Sequence, residues 1–423
     1  MAMPIIKGTY IFICDIAGYI SGAPIYYRNK ALFLEKDGWN VAILANRNGH
    51  VYIDGLEHFA AGFFPFLRDD PASLPKEVTT KHVTELARSI KCVPDMPVIV
   101  ETGTDWTSYW GELLAKRLKG RHMVLFLDED NQRAKKRIVY FDFKYRRGEM
   151  ACITKQTMIR LFDGYRNLKP SEAIDFNACC TNSIQDIENN FSKSLNRSEF
   201  NIGSIGRLDK PFILNLIRDI QIFANRNPDL QIQMVFFGGA STKVEEKIKR
   251  ELAKCKNIKT VISGYMWPFP KSALESMDVF ASAAGSKNLS YSLGIPTVAM
   301  DVLGRGAIGF VGEEAVDDNP LYREASNRNP SETFIYFEEV LQGNVNSADT
   351  DLNLGRQWVD FCNEYQSQLK TALNCKSELS YFDVLSLPVS YKSRIRMFLY
   401  LILGESTGRS LIEAICSFCQ RSK

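Results

Sequence analysis

Four glycine-bearing turns in the second half of the chain carry residue types suited to gripping a polyanion. They are GRLDKP (Gly206–Pro211), GGAST (Gly238–Thr242), GYMWPFP (Gly264–Pro270) and AGSKNLS (Ala284–Ser290). Glycine lets backbone approach a ligand closely. Arg207 and Lys210 in the first turn and Lys287 in the last add cations. A guanidinium holds a diphosphate bidentately and an ammonium serves it as a point charge. Arg207, Lys210, Gly239, Gly285, Ser286, Lys287 and Asn288 are therefore candidate contacts to the phosphates of a nucleotide. Ser286 or Asn288 is equally placed to cap the short helix ending near Gly294, and capping does not exclude phosphate binding. Tyr265 and Met266 are candidates for a base pocket, although aromatic residues after a strand serve as often in a core.

Carboxylates follow two strand-like runs of the first half. ETGTD (Glu101–Asp105) comes after VIV, and DED (Asp128–Asp130) comes after MVLFL. Asp105 and Asp128 are the candidate catalytic acids, placed to orient an acceptor hydroxyl or a sugar ring; solvation at a strand end is the plainer role for each. The loop around Ser21–Gly22 lies where Gly22 would admit a ligand between two lobes. No turn matches the P-loop pattern, and no G-x-G-x-x-G follows the first strand. Both absences argue against a nucleoside triphosphatase or an NAD enzyme.

The elements that position these turns alternate. Thr9–Asp15 reads as a buried parallel strand, a helix begins near Pro24 with Tyr27, Ala31 and Leu34 on one face, and Asn40–Asn46 supplies the next strand. Further strands are expected at Val98–Glu101, Met123–Asp128, Ile138–Phe143 and Ala151–Thr154, and helices at Thr79–Ile90, Thr107–Leu118 and Gln156–Phe162. Asn189–Phe200 breaks the periodicity as a linker. A second alternating block follows, with strands in FNIGSIG, QIQMVFFGG, KTVISG, DVFASA and PTVAM. The pattern predicts an α/β protein with two Rossmann-like domains facing across a cleft, residues 1–195 and 196–370, and a helical tail over 371–423; the resemblance given below assigns the acceptor to the first domain and the nucleotide sugar to the second. In such sheets ligands bind beyond the carboxyl ends of the strands.

Composition narrows the class. The 423 residues are 45% hydrophobic and 24% charged, with a net charge of +3. That balance fits an ordinary globular protein and does not suggest a nucleic-acid partner. Ten scattered cysteines suit a reducing compartment. Cys416 and Cys419 form a lone C-x-x-C without further ligands nearby, so no metal site is expected. No secretory signal opens the chain and no apolar run approaches a membrane span, which predicts a cytoplasmic protein. Lys392, Arg394 and Arg396 precede the apolar run MFLYLIL near the C-terminus. Two readings of that tail stay open: a helix touching the inner face of the membrane as a peripheral contact, or a helix packed back on the first domain. Lys135, Lys136, Lys144, Arg146 and Arg147 would extend a basic face.

With these residues in hand, the chain resembles the GT-B type glycosyltransferases, above all the retaining family 4 enzymes of bacterial polysaccharide and glycolipid synthesis. The resemblance runs from about residue 9 to about residue 370 and rests on SGAPIYYRNKALFLEKDGWNVAIL, GEMACITKQTMIRLF, IGSIGRLDKP and LGIPTVAMD. It implies a nucleoside diphosphate sugar as donor substrate, no cofactor, no metal, and a saccharide or lipid-linked saccharide as acceptor. Arg207 matches the family's diphosphate-binding arginine, and Lys210 stands in for its lysine two residues early. Two departures stand out. AGSKNLSYS carries no acid where the family has paired glutamates, and LDED occupies the region of a family histidine, with Asp128 as the substitute candidate. A sugar-nucleotide epimerase, or a catalytically degenerate transferase acting as a binding partner, is the alternative.

Overall fold

The computed structural model describes residues 6–129, 132–180, 183–345, 354–375, 378–389, 395, 397–404, 407, 408 and 411. Asp130, Lys392, Arg394, Arg396, Cys416 and Cys419 lie outside the described residues.

The first lobe runs β1 (Gly8–Cys14), α1 (Gly22–Lys36), β2 (Trp39–Ala45), β3 (Ala60–Phe63), α2 (Lys76–Ser89), β4 (Val98–Thr102), α3 (Asp105–Leu118), β5 (Arg121–Phe126), α4 (Gln132–Lys135), α5 (Ile138–Arg146), β6 (Met150–Cys152) and α6 (Lys155–Phe162). Its strands form one sheet in the order β3-β2-β1-β4-β5-β6, with parallel pairing throughout. Every residue of β1 is buried. Tyr10, Phe12 and Cys14 enter the core on one face while Ile11 and Ile13 enter that on the other. A strand covered on both faces needs a continuous apolar run, which GTYIFIC supplies.

The second lobe follows as β7 (Ile184–Gln185), α7 (Asn190–Ser194), β8 (Phe200–Ile205), α8 (Phe212–Arg226), β9 (Ile232–Phe237), α9 (Thr242–Leu252), β10 (Ile258–Ile262), β11 (Phe269–Pro270), α10 (Lys271–Glu275), β12 (Val279–Ala283), α11 (Ser286–Tyr291), β13 (Thr297–Met300), β14 (Ala307–Phe310), α12 (Glu314–Asp318), α13 (Thr333–Leu341) and α14 (Leu354–Asn374). Its sheet has the order β10-β9-β8-β12-β13-β14, parallel except for the antiparallel β13–β14 edge. Each sheet reverses its strand order at its centre, between β1 and β4 and between β8 and β12. The expected two-domain α/β architecture is present.

Two expectations need correction. Ile138–Phe143 is not a strand but the start of α5, despite its β-branched and aromatic residues. Helical spacing buries Tyr140, Phe141 and Lys144 on one side, and Asp142 pairs with Arg146 one turn on at 2.8 Å. Tertiary packing overrides propensity here. Nor do Lys144 and Arg147 form a solvated basic face. Lys144 is 1% exposed and lies 3.0 Å from Glu112 and 2.7 Å from Glu149, while Arg147 lies 3.0 Å from Glu149. Burial alone would raise the Glu112 carboxyl, but Lys144 and His122 beside it outweigh burial and hold it at about 2.

The chain then returns to the first lobe. Phe361, Tyr365, Leu369 and Ala372 of α14 recur at helical spacing and pack into the core beside Ile25 and Tyr26. Beyond α14, the Phe382 amide donates to Glu112 at 2.8 Å and Val384 and Leu387 are buried against Tyr140 and Phe141. A fully buried ion pair ties these layers together. Lys30 of α1 meets Glu101 of β4 at 2.5 Å with both side chains sealed from solvent. Tyr10 and Tyr26 donate to the same carboxylate, and Lys30 donates to Gln368 of α14 at 2.7 Å. Removing one member of such a pair strands the other. Glu101→Ala is expected to lower unfolding stability by about 3–5 kcal/mol, and Lys30→Met with Glu101→Leu is expected to recover much of that loss. Urea denaturation of both variants measures the difference.

Candidate functional site

The two switch points put the turns after β1 and β8 opposite one another. Arg207 follows β8, and its guanidinium carbon lies 5.5 Å from the ring centre of Tyr19, in the turn after β1. Arg47, after β2, approaches the same ring at 6.0 Å and lies 3.3 Å from Asp15. Burial raises the Asp15 carboxyl above its usual range against the pull of Arg47, and burial likewise pushes the Tyr19 hydroxyl up. Two guanidiniums, one from each lobe, thus converge on a single aromatic ring. Arg207 also lies 3.1 Å from Asp209, and about a third of its side chain is open to solvent.

Lys210 crosses the cleft and donates to Glu129 at 3.2 Å. The backbone carbonyl of Glu129 accepts from the hydroxyl of Tyr322 at 2.8 Å, which ties the loop after β5 to the second lobe a second time. Tyr322 stacks under Arg160 of α6 at 4.3 Å. The acid that meets the basic turn is therefore Glu129, while its neighbour Asp128 is exposed. Asp105 is the first residue of α3 and is half-buried, and burial raises its carboxyl despite nearby Arg133 and Arg137. Arg133 and Arg137, the cations that act on it, both belong to the first lobe.

The glycine turns of the second sheet come together in space. Gly238 runs so close to Gly206 that a Cβ on Gly238 would overlap the Gly206 carbonyl oxygen. A Cβ on Gly239 would stand 3.1 Å from the Tyr265 amide, and one on Gly206 would stand 3.6 Å from the Ser286 hydroxyl. The turns at the ends of β8, β9, β10 and β12 thus lie side by side. The Glu245 carboxylate holds the turn after β9 by accepting from the Ala240 amide at 2.9 Å. Gly22 and Gly285, from opposite lobes, both face Cys180, at 3.0 Å and 3.6 Å from the positions their Cβ atoms would take.

Other candidates sit at the margins. Tyr265 packs its ring 5.3 Å from Tyr52 of the first lobe, and the Met266 sulfur accepts from Asn189 at 3.1 Å. Gly285, rather than Ser286 or Asn288, stands at the N-cap of α11, and no side chain caps that helix. Asn288 is exposed within it. Lys287 turns inward: it is 4% exposed, its ammonium donates to the Ala284 carbonyl at 3.4 Å, and burial lowers it to about 8.

Sequence reasoning passed over Tyr19, Arg47, Glu129 and Tyr322. Tyr19 and Glu129 carried a usable signal, because both sit in strand-end loops already singled out. Arg47 and Tyr322 become visible only once the lobes are placed.

No protein-family model and no curated protein matches the chain. Solved structures do match in fold. A glycosyltransferase from Rickettsia africae superposes with a TM-score of 0.51 at 12% identity, over 93% of this chain and 98% of that one. The UDP-GlcNAc 2-epimerase from Neisseria meningitidis bound to UDP-GlcNAc gives a TM-score of 0.51 at 14% identity, over 86% of this chain and 99% of that one. Anabaena HepE in complex with UDP-glucose gives 0.50 at 12% identity, over 93% and 99%. The fold is that of the GT-B-like proteins, two Rossmann-like domains face to face.

Two outcomes follow from the geometry. Gly238→Ala forces a methyl onto the Gly206 carbonyl and is expected to distort the turn and lower the melting temperature, as calorimetry would record. Lys287 titrates at about 8 in the folded chain against 10.5 for an unperturbed lysine. Between those values the unfolded chain binds the proton that the folded chain has shed, so this residue makes stability rise with pH across that window. In Lys287→Met that rise is expected to disappear from denaturation midpoints measured on either side of it.

Proposed function

We propose that the chain is a metal-independent glycosyltransferase that moves a hexose-type sugar from a nucleoside diphosphate donor to a saccharide or lipid-linked saccharide in cell-surface polysaccharide synthesis. The observation that carries this reading is the placement of Arg207. It stands at the switch point of the second sheet, beside the merged glycine turns, and faces Tyr19 at the switch point of the first. Preorganised cations at the point where charge develops supply the electrostatic stabilisation on which such a transfer depends.

In the proposed reaction the bond between the anomeric carbon and the diphosphate oxygen breaks, and a bond forms between that carbon and the acceptor oxygen. The leaving diphosphate takes the electron pair and is held by Arg207 and by Lys210, which exchanges Glu129 for the incoming phosphate. The acceptor's proton passes to a carboxylate of the first lobe, for which exposed Asp128 and half-buried Asp105 are the candidates. Gly22, Gly239, Gly285, Ser286, Lys287 and Asn288 line the approach to the donor, with Tyr265 and Met266 toward its base. The motifs quoted above favour the retaining family 4 group within this fold.

A sugar-nucleotide epimerase would use the same donor cradle without an acceptor. The equal TM-scores to a glycosyltransferase and to an epimerase keep it as the second reading. Incubation with donor alone separates the two, because only an epimerase converts the sugar nucleotide in the absence of acceptor.

A thermal-shift screen of UDP-, GDP-, ADP- and CMP-linked sugars is expected to find a donor that raises the melting temperature. Arg207→Ala is expected to weaken binding of the corresponding nucleoside diphosphate by about 1.5–3 kcal/mol. Unchanged affinity in titration calorimetry would remove the site assignment.

A further inference from the structure

The carboxyl edge of the first sheet carries guanidiniums of its own, apart from Arg207. Cys14, Ala45 and Phe63 stand in register on β1, β2 and β3. Asp15, Arg47 and Arg68 therefore leave the same edge from adjacent strands, one, two and five residues beyond a common level. Gly18 has a φ of 85°, and a Cβ there would stand 3.4 Å from Nη1 of Arg47, so this guanidinium lies over the turn after β1. The Gly18 amide donates to the His50 carbonyl at 2.9 Å and joins that turn to the loop that carries Arg47. Arg68 ends the short turn Pro65–Arg68, which Phe66 and Leu67 anchor in the core.

Neither guanidinium is fully used. The Arg47 side chain is 39% exposed, yet its Nε is buried and makes no hydrogen bond, although Asp15 lies 3.3 Å away. A buried donor without an acceptor costs free energy that a ligand can recover. Arg68 is exposed and makes no ion pair or hydrogen bond among the described residues. Burial raises the Asp15 carboxyl, and Arg47 and Arg68 both pull against that rise, so the two cations act on one place. Arginine meets phosphate oxygens in a bidentate fork. A phosphate monoester brings about two negative charges, which suits a pair of guanidiniums better than one carboxylate does.

We propose that Arg47 and Arg68 hold a phosphate group of the acceptor, so that the sugar passes to a phosphorylated saccharide or to a saccharide joined through phosphate to a lipid. The phosphate displaces Asp15 from Arg47, and Arg207 faces the site across the Tyr19 ring. The proposal rests on the transfer reading only in calling the phosphate compound an acceptor. Its binding is measured without donor, so its failure and the failure of donor binding are separate results.

Titration calorimetry of the full chain tests it, with glucose 6-phosphate as probe and glucose as the uncharged control. Glucose 6-phosphate is expected to bind, and glucose to bind more weakly by about tenfold or more. Arg68→Gln, which breaks no ion pair or hydrogen bond of the described residues, is expected to lower affinity for glucose 6-phosphate by about tenfold. Adding Arg47→Gln is expected to bring binding down to that of glucose, while binding survives Arg207→Ala. Geranyl diphosphate as a second probe separates the two sources of phosphate. Binding tighter than that of glucose 6-phosphate supports the lipid-linked acceptor, and weaker binding supports the soluble one. Absence of binding by both phosphate probes, equal binding of glucose, or unchanged affinity in the double variant would each overturn the proposal. Loss of binding in Arg207→Ala with affinity kept in Arg68→Gln would assign the phosphate to the turns of the second lobe and overturn it as well.

Discussion

Parallel strand pairing governs where this protein can do chemistry. When strands run side by side in one direction, all their carboxyl ends lie along one sheet edge, and the turns that leave them crowd together. In the second lobe this crowding brings Gly238 against the Gly206 carbonyl and sets the Ser286 hydroxyl close to Gly206. Backbone can pack so tightly there only because these positions carry no side chain. Arg207 and Lys210 leave the same edge, so the cations that follow Gly206 share one place with open backbone contributed by Gly238 and Gly239, some thirty residues on. The first lobe repeats the arrangement with Asp15, Tyr19 and Arg47.

The ion pairs at the cleft stay partly open. Lys210 with Glu129 joins the two lobes, while Arg207 with Asp209 and Arg47 with Asp15 each pair within one lobe, and all three keep partial access to solvent. Partly exposed pairs of this kind contribute little to stability. They also exchange readily for another anion, as the proposed donor binding requires. The pairs inside the first lobe differ. Lys30 with Glu101 and Lys144 with Glu112 and Glu149 are sealed, and their surrounding hydrogen bonds tie α1, α3, α5 and α14 to the sheet. These sealed pairs are fixed in place, whereas the partly open pairs at the cleft can exchange.

The return of the chain links these regions. α14 leaves the second lobe and lays Phe361, Tyr365 and Leu369 into the core of the first, and Gln368 joins the Lys30–Glu101 network. Further on, Phe382, Val384 and Leu387 cover the face that holds Glu112 and Lys144. The lobes are therefore joined by the covalent crossover near β7, by the returning helix, and by the polar contacts across the cleft. Only the last of these sets lies where a ligand would enter.

Much of this was legible in the chain itself. Continuous apolar runs such as TYIFIC and QMVFF suit strands covered on both faces, and glycines at their ends mark where backbone must turn tightly. Alternation with helical periodicity indicated the two doubly wound lobes, and the types of Arg207 and Lys210 carried the expectation of an anion beside them. What the chain could not reveal was which distant charges meet. Ile138–Phe143 has the composition of a strand and becomes a helix because Tyr140, Phe141 and Lys144 find buried partners one turn apart. Lys144 looks like a surface cation and is sealed by two glutamates contributed from elsewhere. LDED offers a run of adjacent acids, and only the facing of the lobes brings Glu129 to Lys210. Local sequence sets backbone preference and residue chemistry, but electrostatic pairing depends on distances across the cleft, and those exist only after both sheets have packed.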